Sequence, residues 1–455
     1  MSHRRLLSFS AAAASGRLRR SLSTATSDSR GGWSWYMLEK TTMAVPTATG
    51  PSVRFADPPR VSELYMPESL FNLGGHTVPG RQSDVLRMLS GQAGSASQDG
   101  LLLLNYRDIR IMAPIVGMEQ QGGRTRAFRE LTGTALPDPA QVPDMAHFVF
   151  NPLTGEISSR LPDVRGPLKI GDGFEAGLLT QQADAGRGPP DRYAVAKLDG
   201  HVMLRFLSET GEWETVQVCS PCQLPPAGRQ FSPNQEVLAF GGRLWWVDVT
   251  WGAVCADPFS DRPEPRFVEL PSGSVLPADA CERAIRSSIF VPHAQGKGNV
   301  LLSMRMPNMC RRVGVSGGCL RYVEVSEKEP FMLSSFVLDG SDSGWTLEHR
   351  VALSRLWVDG AHPWLPLQGL NRPQIGVLDP YEANVVHLVV GKHVVAVDMH
   401  KGEVTQHVPY TGHSTASILP CVVSPWLPTS QIPSSAGKKD VSKKTTLADV
   451  LVRSD

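Results

Sequence analysis

An excess of charge of either sign is missing from this chain: 45 basic residues stand against 44 acidic ones in 455, a formal net charge of +1. So balanced a surface sets up no long-range field to draw in a nucleic-acid backbone or an anionic membrane, and nucleic acid is not an expected partner. Cysteine is scarce, seven in all, and no Asn-x-Ser/Thr acceptor occurs. A secreted, disulfide-stapled protein is therefore not expected, and the thiols should be reduced. Long apolar runs are absent too. A membrane-spanning helix needs roughly 18 consecutive apolar residues, whereas the best candidate, "ANVVHLVVGKHVVAVD", is interrupted by His387, Lys392 and His393. No membrane span is expected. What remains, 41% hydrophobic and 20% charged, is the make-up of a globular protein able to bury a sizeable core.

The first thirty residues carry Arg4, Arg5, Arg17, Arg19 and Arg20, many serines and alanines, and no acid before Asp28. Arginine-rich, serine-rich and acid-poor composition is that of an organellar transit peptide. "RSLS" at Arg20 to Ser23 resembles a matrix-processing site. The arginines favour the mitochondrion, whose membrane potential attracts a positive helix, with the chloroplast as the alternative. At the other end, residues 428–455 are lysine-rich and short of large apolar groups, so they read as a solvated, flexible tail. The folded part is expected over residues 31–427.

Within it, helical patterns are few: Asp84 to Ser90 and Asp279 to Ser288. Elsewhere the apolar runs are short and β-branched or aromatic, as in "AHFVFN", "YAVAKL", "HVMLRFLS" and "VVHLVV", punctuated by Gly, Pro, Asp and Asn. Such runs predict an antiparallel all-β fold. A weak internal repeat sharpens this. "FNPLTGEISSRLP", Phe150 to Pro162, aligns without gaps to "VDMHKGEVTQHVP", Val397 to Pro409. Asn151 or Asp398 can open a turn through its side chain, Gly155 or Gly402 can take a positive φ, and Ile157 or Val404 begins the return strand. Each copy is predicted to be a β-hairpin, and "SETGEW" at Ser208 to Trp213 is a partial third. Repeated hairpins with irregular spacing predict a propeller-like array with inserted loops, of roughly six to eight blades. Two β-sandwich domains are the alternative.

"LWWVDVTWGAVCADPF", Leu244 to Phe259, spends three of the ten tryptophans within seven positions. This crowding makes either a ligand platform beside Asp248 and Asp257, or the packed centre of a sheet. A strand at Leu244 to Val249 puts Leu244, Trp246 and Asp248 on one face and Trp245, Val247 and Val249 on the other. Both faces are largely apolar, as stacking between neighbouring sheets requires, so packing is the expected role. The stretch from residue 237 to residue 271 resembles the signature of a plant family, expanded in grasses, called domain of unknown function 1618. The matching features are Leu244, Trp245, Trp246 and Asp248 in the strand, Trp251 and Gly252 at a turn, Asp257 and Pro258 at a "CDP"-like step, and a closing Leu-Pro. Ala256 is an insertion relative to that step and is expected to be tolerated in a turn. The resemblance implies no catalytic residue.

Other motifs read as structural. Cys219-Ser-Pro-Cys222 lacks the second ligand pair of a zinc site and the βαβ setting of a redox pair. Gly314-Val-Ser316-Gly-Gly318 fits the spacing of a nucleophile elbow, but a strand-like run follows it instead of a helix. "GDGFEAG" at Gly171 lacks the dinucleotide spacing, and "DGSDSGW" at Asp339 occurs once. His387, His393 and His400 are expected at surfaces and edges. No metal or cofactor is expected, and no catalytic residue. The reading is a non-catalytic mitochondrial interaction module with protein partners. A propeller-type enzyme with scattered acids acting on a small molecule is the alternative.

Overall fold

The short apolar runs fold as strands because they are β-branched and aromatic, and they are buried on both faces because each sheet has a neighbour on either side. A computed structural model describes residues 34–45, 49–67, 70, 85–112, 115–121, 124–129, 144–164, 176–182, 188–218, 229–280, 306–340, 344–359, 372–412 and 418–433. Among them six blades form a β-propeller.

Four blades are simple four-stranded antiparallel meanders. Blade 3 holds β10 (Ala176–Gln181), β11 (Arg192–Asp199), β12 (Val202–Leu207) and β13 (Glu212–Gln217). Blade 4 holds β14 (Leu238–Phe240), β15 (Arg243–Asp248), β16 (Gly252–Ala256) and β17 (Arg266–Glu269). Blade 5 is β18 (Arg311–Ser316), β19 (Cys319–Val325), β20 (Met332–Leu338) and β21 (Trp345–Ala352), followed by the short helix α1 (Leu353–Asp359). Blade 6 is β22 (Gln374–Leu378), β23 (Val385–Val390), β24 (His393–Asp398) and β25 (Glu403–Pro409).

The remaining eight-stranded sheet supplies two blades. Blade 1 joins the two ends of the described chain. The late strand β26 (Ile418–Val422) pairs antiparallel with β1 (Trp35–Glu39), which lies parallel to β4 (Val61–Pro67), itself paired with β3 (Ser52–Arg54). Blade 2 is β5 (Val85–Ala96), β6 (Leu102–Met112) and β9 (Asp144–Phe150), with Ile157 bridging to Phe150 at its outer side. The strand β2 (Thr41–Val45) pairs with both β4 and β5 and so links the two blades. A hairpin of β7 (Ile115–Gln121) and β8 (Arg124–Arg129) is inserted between β6 and β9.

Six buried clusters lie between successive blades and complete the ring. Trp35, Met37, Val377 and Ile418 join blades 6 and 1, and Tyr36, Leu38, Leu104 and Phe148 join 1 and 2. Leu103, Val149, Leu178 and Val195 join 2 and 3. Further round, Leu179, Met203, Leu244 and Trp246 join 3 and 4, Trp245, Val247, Val313 and Tyr322 join 4 and 5, and Val323, Leu333, Leu388 and Val395 join 5 and 6. Outer strands face water instead: in β25, Glu403, Thr405, Gln406 and His407 are exposed while Val404 and Val408 turn partly inward.

The repeat found in the sequence is the outer hairpin of a blade. Asn151 Oδ1 accepts from the Leu153 and Thr154 amides, and Asp398 Oδ1 from those of His400 and Lys401. Gly155 and Gly402 have φ of 76° and 67°, a region that glycine enters at little cost. The third copy joins β12 to β13 through Gly211, φ 72°. In blades 4 and 5 Asp257 and Asp339 stand at the same place, after the third strand.

The predicted helix over Asp84 to Ser90 is corrected: from Val85 onward this chain is β5. Its apolar spacing fits either period over so short a run, and a long ladder with β6, from Val85↔Met112 to Ala96↔Leu102, decides for strand. The helix expected at Asp279 to Ser288 lies almost wholly outside the described residues. Packing continues past Leu427, since Ile432 is buried in the cluster between blades 2 and 3 and its amide donates to Glu156. Residues 1–33 and 434–455 lie outside the described residues.

Candidate functional site

The tryptophan-rich strand is β15, and its side chains divide as alternation requires. Leu244 and Trp246, both 0% exposed, pack toward blade 3; Trp245 and Val247 pack toward blade 5. Trp245 donates its ring N–H to the Phe240 carbonyl at 3.2 Å. These rings are core, not platform.

Asp248 closes the strand and organises the turn to β16. Its Oδ1 accepts from the Thr250 amide at 2.9 Å, the Thr250 hydroxyl at 2.5 Å and Asn234 Nδ2 at 3.2 Å. Asn234 in return accepts from the Val249 amide at 3.0 Å. The buried carboxylate is thus satisfied by donors of its own turn and the preceding loop. Trp251 follows, 5% exposed, with its ring tilted on Phe267 at 5.1 Å. Gly252 is needed for room: a Cβ there would sit 2.6 Å from the Phe267 ring and 2.5 Å from the Val268 carbonyl. Ala256 is not a turn residue as expected but the last of β16, paired with Leu244 and fully buried, so the insertion lengthens a strand. Asp257 then caps the next turn through the Phe259 amide at 2.8 Å, and the buried Pro258 offers its carbonyl to Arg205 of blade 3 at 2.8 Å. Arg205, 4% exposed, also pairs with Glu214 at 2.7 Å.

The turn holds one further residue that sequence reasoning did not single out. Arg229 donates to the Leu276 carbonyl at 2.7 Å and to the Thr250 hydroxyl, and its guanidinium lies 5.0 Å from the Trp251 ring centroid. It lines a cleft of about 490 Å³ between blades 3 and 4, with Lys197, Asp199, Phe231, Val254 and Pro265.

A second locus lies where the innermost strands converge. Lys40, between β1 and β2, reaches Glu236 at 2.8 Å. Glu236, just before β14, also pairs with Arg312 of β18, which donates to the Ile418 carbonyl of β26 at 2.9 Å. All three side chains are 2–5% exposed. Burial favours the neutral acid, but Arg312 and Lys40 outweigh it and hold the Glu236 carboxyl below its ordinary range. Burial pushes the Lys40 ammonium down, against the pull of Glu236. Gln235 ties the neighbouring strands by donating to the Val313 carbonyl at 2.6 Å and accepting from the Val313 amide at 2.9 Å.

Residues 246–387, from the middle of β15 to the middle of β23, match the family described as protein of unknown function DUF1618. The match spans about a third of the chain and supports membership of this family. No curated protein matches it. Among solved structures, AztD of Citrobacter koseri is similar at 9% identity over 74% of each chain, with a TM-score of 0.26. The Cps50 (Swd1) β-propeller domain of Myceliophteria thermophila is similar at 10% identity over 59% of this chain and 82% of that one, with a TM-score of 0.28. At such distances no residue of either is carried across to this chain.

The other motifs resolve within the blades. Ser316 ends β18 and donates to the Asp379 carbonyl at 2.5 Å; Gly317 and Gly318 then turn into β19, so no helix follows the serine. Cys219 and Cys222 lie outside the described residues, as does most of "GDGFEAG". Asp339 begins the outer hairpin of blade 5, where Thr346 donates to it at 3.0 Å. His393 and His400 sit at a strand start and a turn, but His387 is corrected: it is 3% exposed and packs on Trp35 at 5.4 Å, because β23 is a middle strand at the seam of blades 6 and 1. Among the described residues no three His, Cys, Asp or Glu side chains gather as a metal site would require. Nor is any described helix long and apolar enough to cross a membrane.

The axial triad and Arg229 were illegible in the sequence, because each joins residues far apart in the chain with no motif between them.

Proposed function

We propose that this DUF1618 propeller is a non-catalytic interaction module of the mitochondrion, and that a protein partner docks on the face carrying the β11–β12, β15–β16, β19–β20 and β23–β24 turns. One observation carries this reading. At the convergence of the inner strands, where a propeller-type enzyme would assemble its acids, Glu236 is buried and already paired with Lys40 and Arg312. That charge is spent on holding blades 1, 4 and 5 together. The arginine-rich, acid-poor first thirty residues support the mitochondrial address.

Two experiments test the two halves. Residues 1–40 fused to a fluorescent protein should enter mitochondria, and a diffuse cytosolic signal removes the address. A tagged full chain, purified after mild cross-linking from isolated mitochondria, should bring down a stoichiometric protein partner. Recovery of the folded chain alone removes the interaction role.

A further inference from the structure

The cleft between blades 3 and 4 is lined by both apolar and charged side chains. Its volume, about 490 Å³, lies in the range of about 300–1,000 Å³ typical of small-molecule pockets. Its lining is of mixed chemistry. Val254 is buried, and the half-buried Phe231 and Pro265 add to the apolar part of the lining. Phe231 belongs to an aromatic chain, edge-on to Phe267 at 6.5 Å, which in turn meets Trp251. Lys197 and Arg229 also line the cleft, with Asp199 as the one carboxylate among the lining residues.

Arg229 is the informative member. Both of its described hydrogen bonds go to neutral oxygens, the Leu276 carbonyl and the Thr250 hydroxyl, and no carboxylate pairs with it among the described residues. Those two bonds and the Trp251 ring fix the guanidinium in place, and Thr250 is itself fixed by Asp248 at 2.5 Å. The buried turn from Asp248 to Trp251 therefore positions an arginine in the lining of a cleft. A planar guanidinium with donors left over is suited to a carboxylate or phosphate, and fixing it beforehand lowers the cost of binding.

We infer that this cleft binds a small organic anion, a carboxylate or phosphate on an aromatic or aliphatic body, with the anionic group on Arg229 and the body against Phe231, Val254 and Pro265. The cleft is lined in part by the β11–β12 turn of the proposed docking face, but anion binding requires no protein partner and is tested without one.

The test is calorimetric titration of the purified full chain with benzoate, phenyl phosphate, neutral benzamide and inorganic phosphate. The two ring-bearing anions should bind, and benzamide and inorganic phosphate should bind about tenfold more weakly or not at all. Arg229→Gln should weaken benzoate about tenfold. Because that change also frees Thr250 and Leu276, Ser232→Trp serves as a second variant: Ser232 is an exposed lining residue, and the indole should block the mouth while the melting temperature stays at the wild-type value. Absence of binding by either ring-bearing anion, equal binding of benzamide and benzoate, or benzoate binding unchanged in both variants would overturn the assignment.

Discussion

Lys40 and Glu236 lie 196 residues apart in the sequence and 2.8 Å apart in the fold. With Arg312 on the other oxygen of the same carboxylate, they connect blade 1 to blades 4 and 5 through charges that water hardly reaches. Removing one member of such a set leaves the others buried without compensation, which costs more than the pair itself contributes.

Glu236→Gln is therefore expected to destabilise the fold by about 3–5 kcal/mol in urea denaturation. The acid limb carries the same signature. Glu236 has a folded pKa below its unfolded value, so its contribution is present above about pH 4.3 and is lost as pH falls through the folded value. Glu236→Gln should flatten the loss of stability below pH 4.3. An unchanged acid limb would show that the carboxylate is not held ionised.

His147 gives a second pH dependence in a different window. Its Nδ1 lies 2.8 Å from Asn105 Oδ1, and burial, helped by Arg160, pushes its pKa down to about 4. Between pH 6.5 and 4 the unfolded chain holds a proton that the folded chain lacks, so stability falls as pH drops through this range, by at most about 3 kcal/mol. His147→Gln should remove that slope, measured by urea midpoints at pH 7, 5.5 and 4.

Trp246 is fully buried at the seam of blades 3 and 4. Trp246→Ala should cost about 3–5 kcal/mol. A variant with unchanged melting would return the tryptophans to a ligand-binding role.

Two turn glycines separate conformational from steric need. Gly402 has positive φ but room for a Cβ, with Leu356 at 3.9 Å, so Gly402→Ala should cost about 1–2 kcal/mol. Gly100 has φ of 99°, and a Cβ there would run into the Val422 carbonyl and the Leu427 side chain. Gly100→Ala should be clearly the more damaging in thermal melts.

Local information carried much of this fold. The turn at Asn151 and Gly155 was legible because the side-chain acceptor and the positive φ are set by residues four apart, and its copy at Asp398 and Gly402 showed that the unit repeats. The alternation of Leu244 and Trp246 against Trp245 and Val247 was legible for the same reason, since two-sided burial leaves apolar residues on both faces of one strand. Strand β5 was misread because Val85, Leu86, Met88 and Leu89 fit a helix as well as a strand, and only pairing with β6 separates the two. Lys40, Glu236, Arg312 and Arg229 could not be found from sequence, since nothing local distinguishes a buried paired charge from a solvated one.

The docking face can be read out with lysine-reactive cross-linking and mass spectrometry on the protein in intact mitochondria. Lys328 and Lys392 are exposed on the proposed face, in the turns after β19 and β23, whereas Lys401 is exposed on the opposite face, in the turn after β24. Partner peptides joined to Lys328 and Lys392 and not to Lys401 are expected. Partner peptides joined only to Lys401, or none at any of the three, would overturn the assignment of this propeller as a docking module.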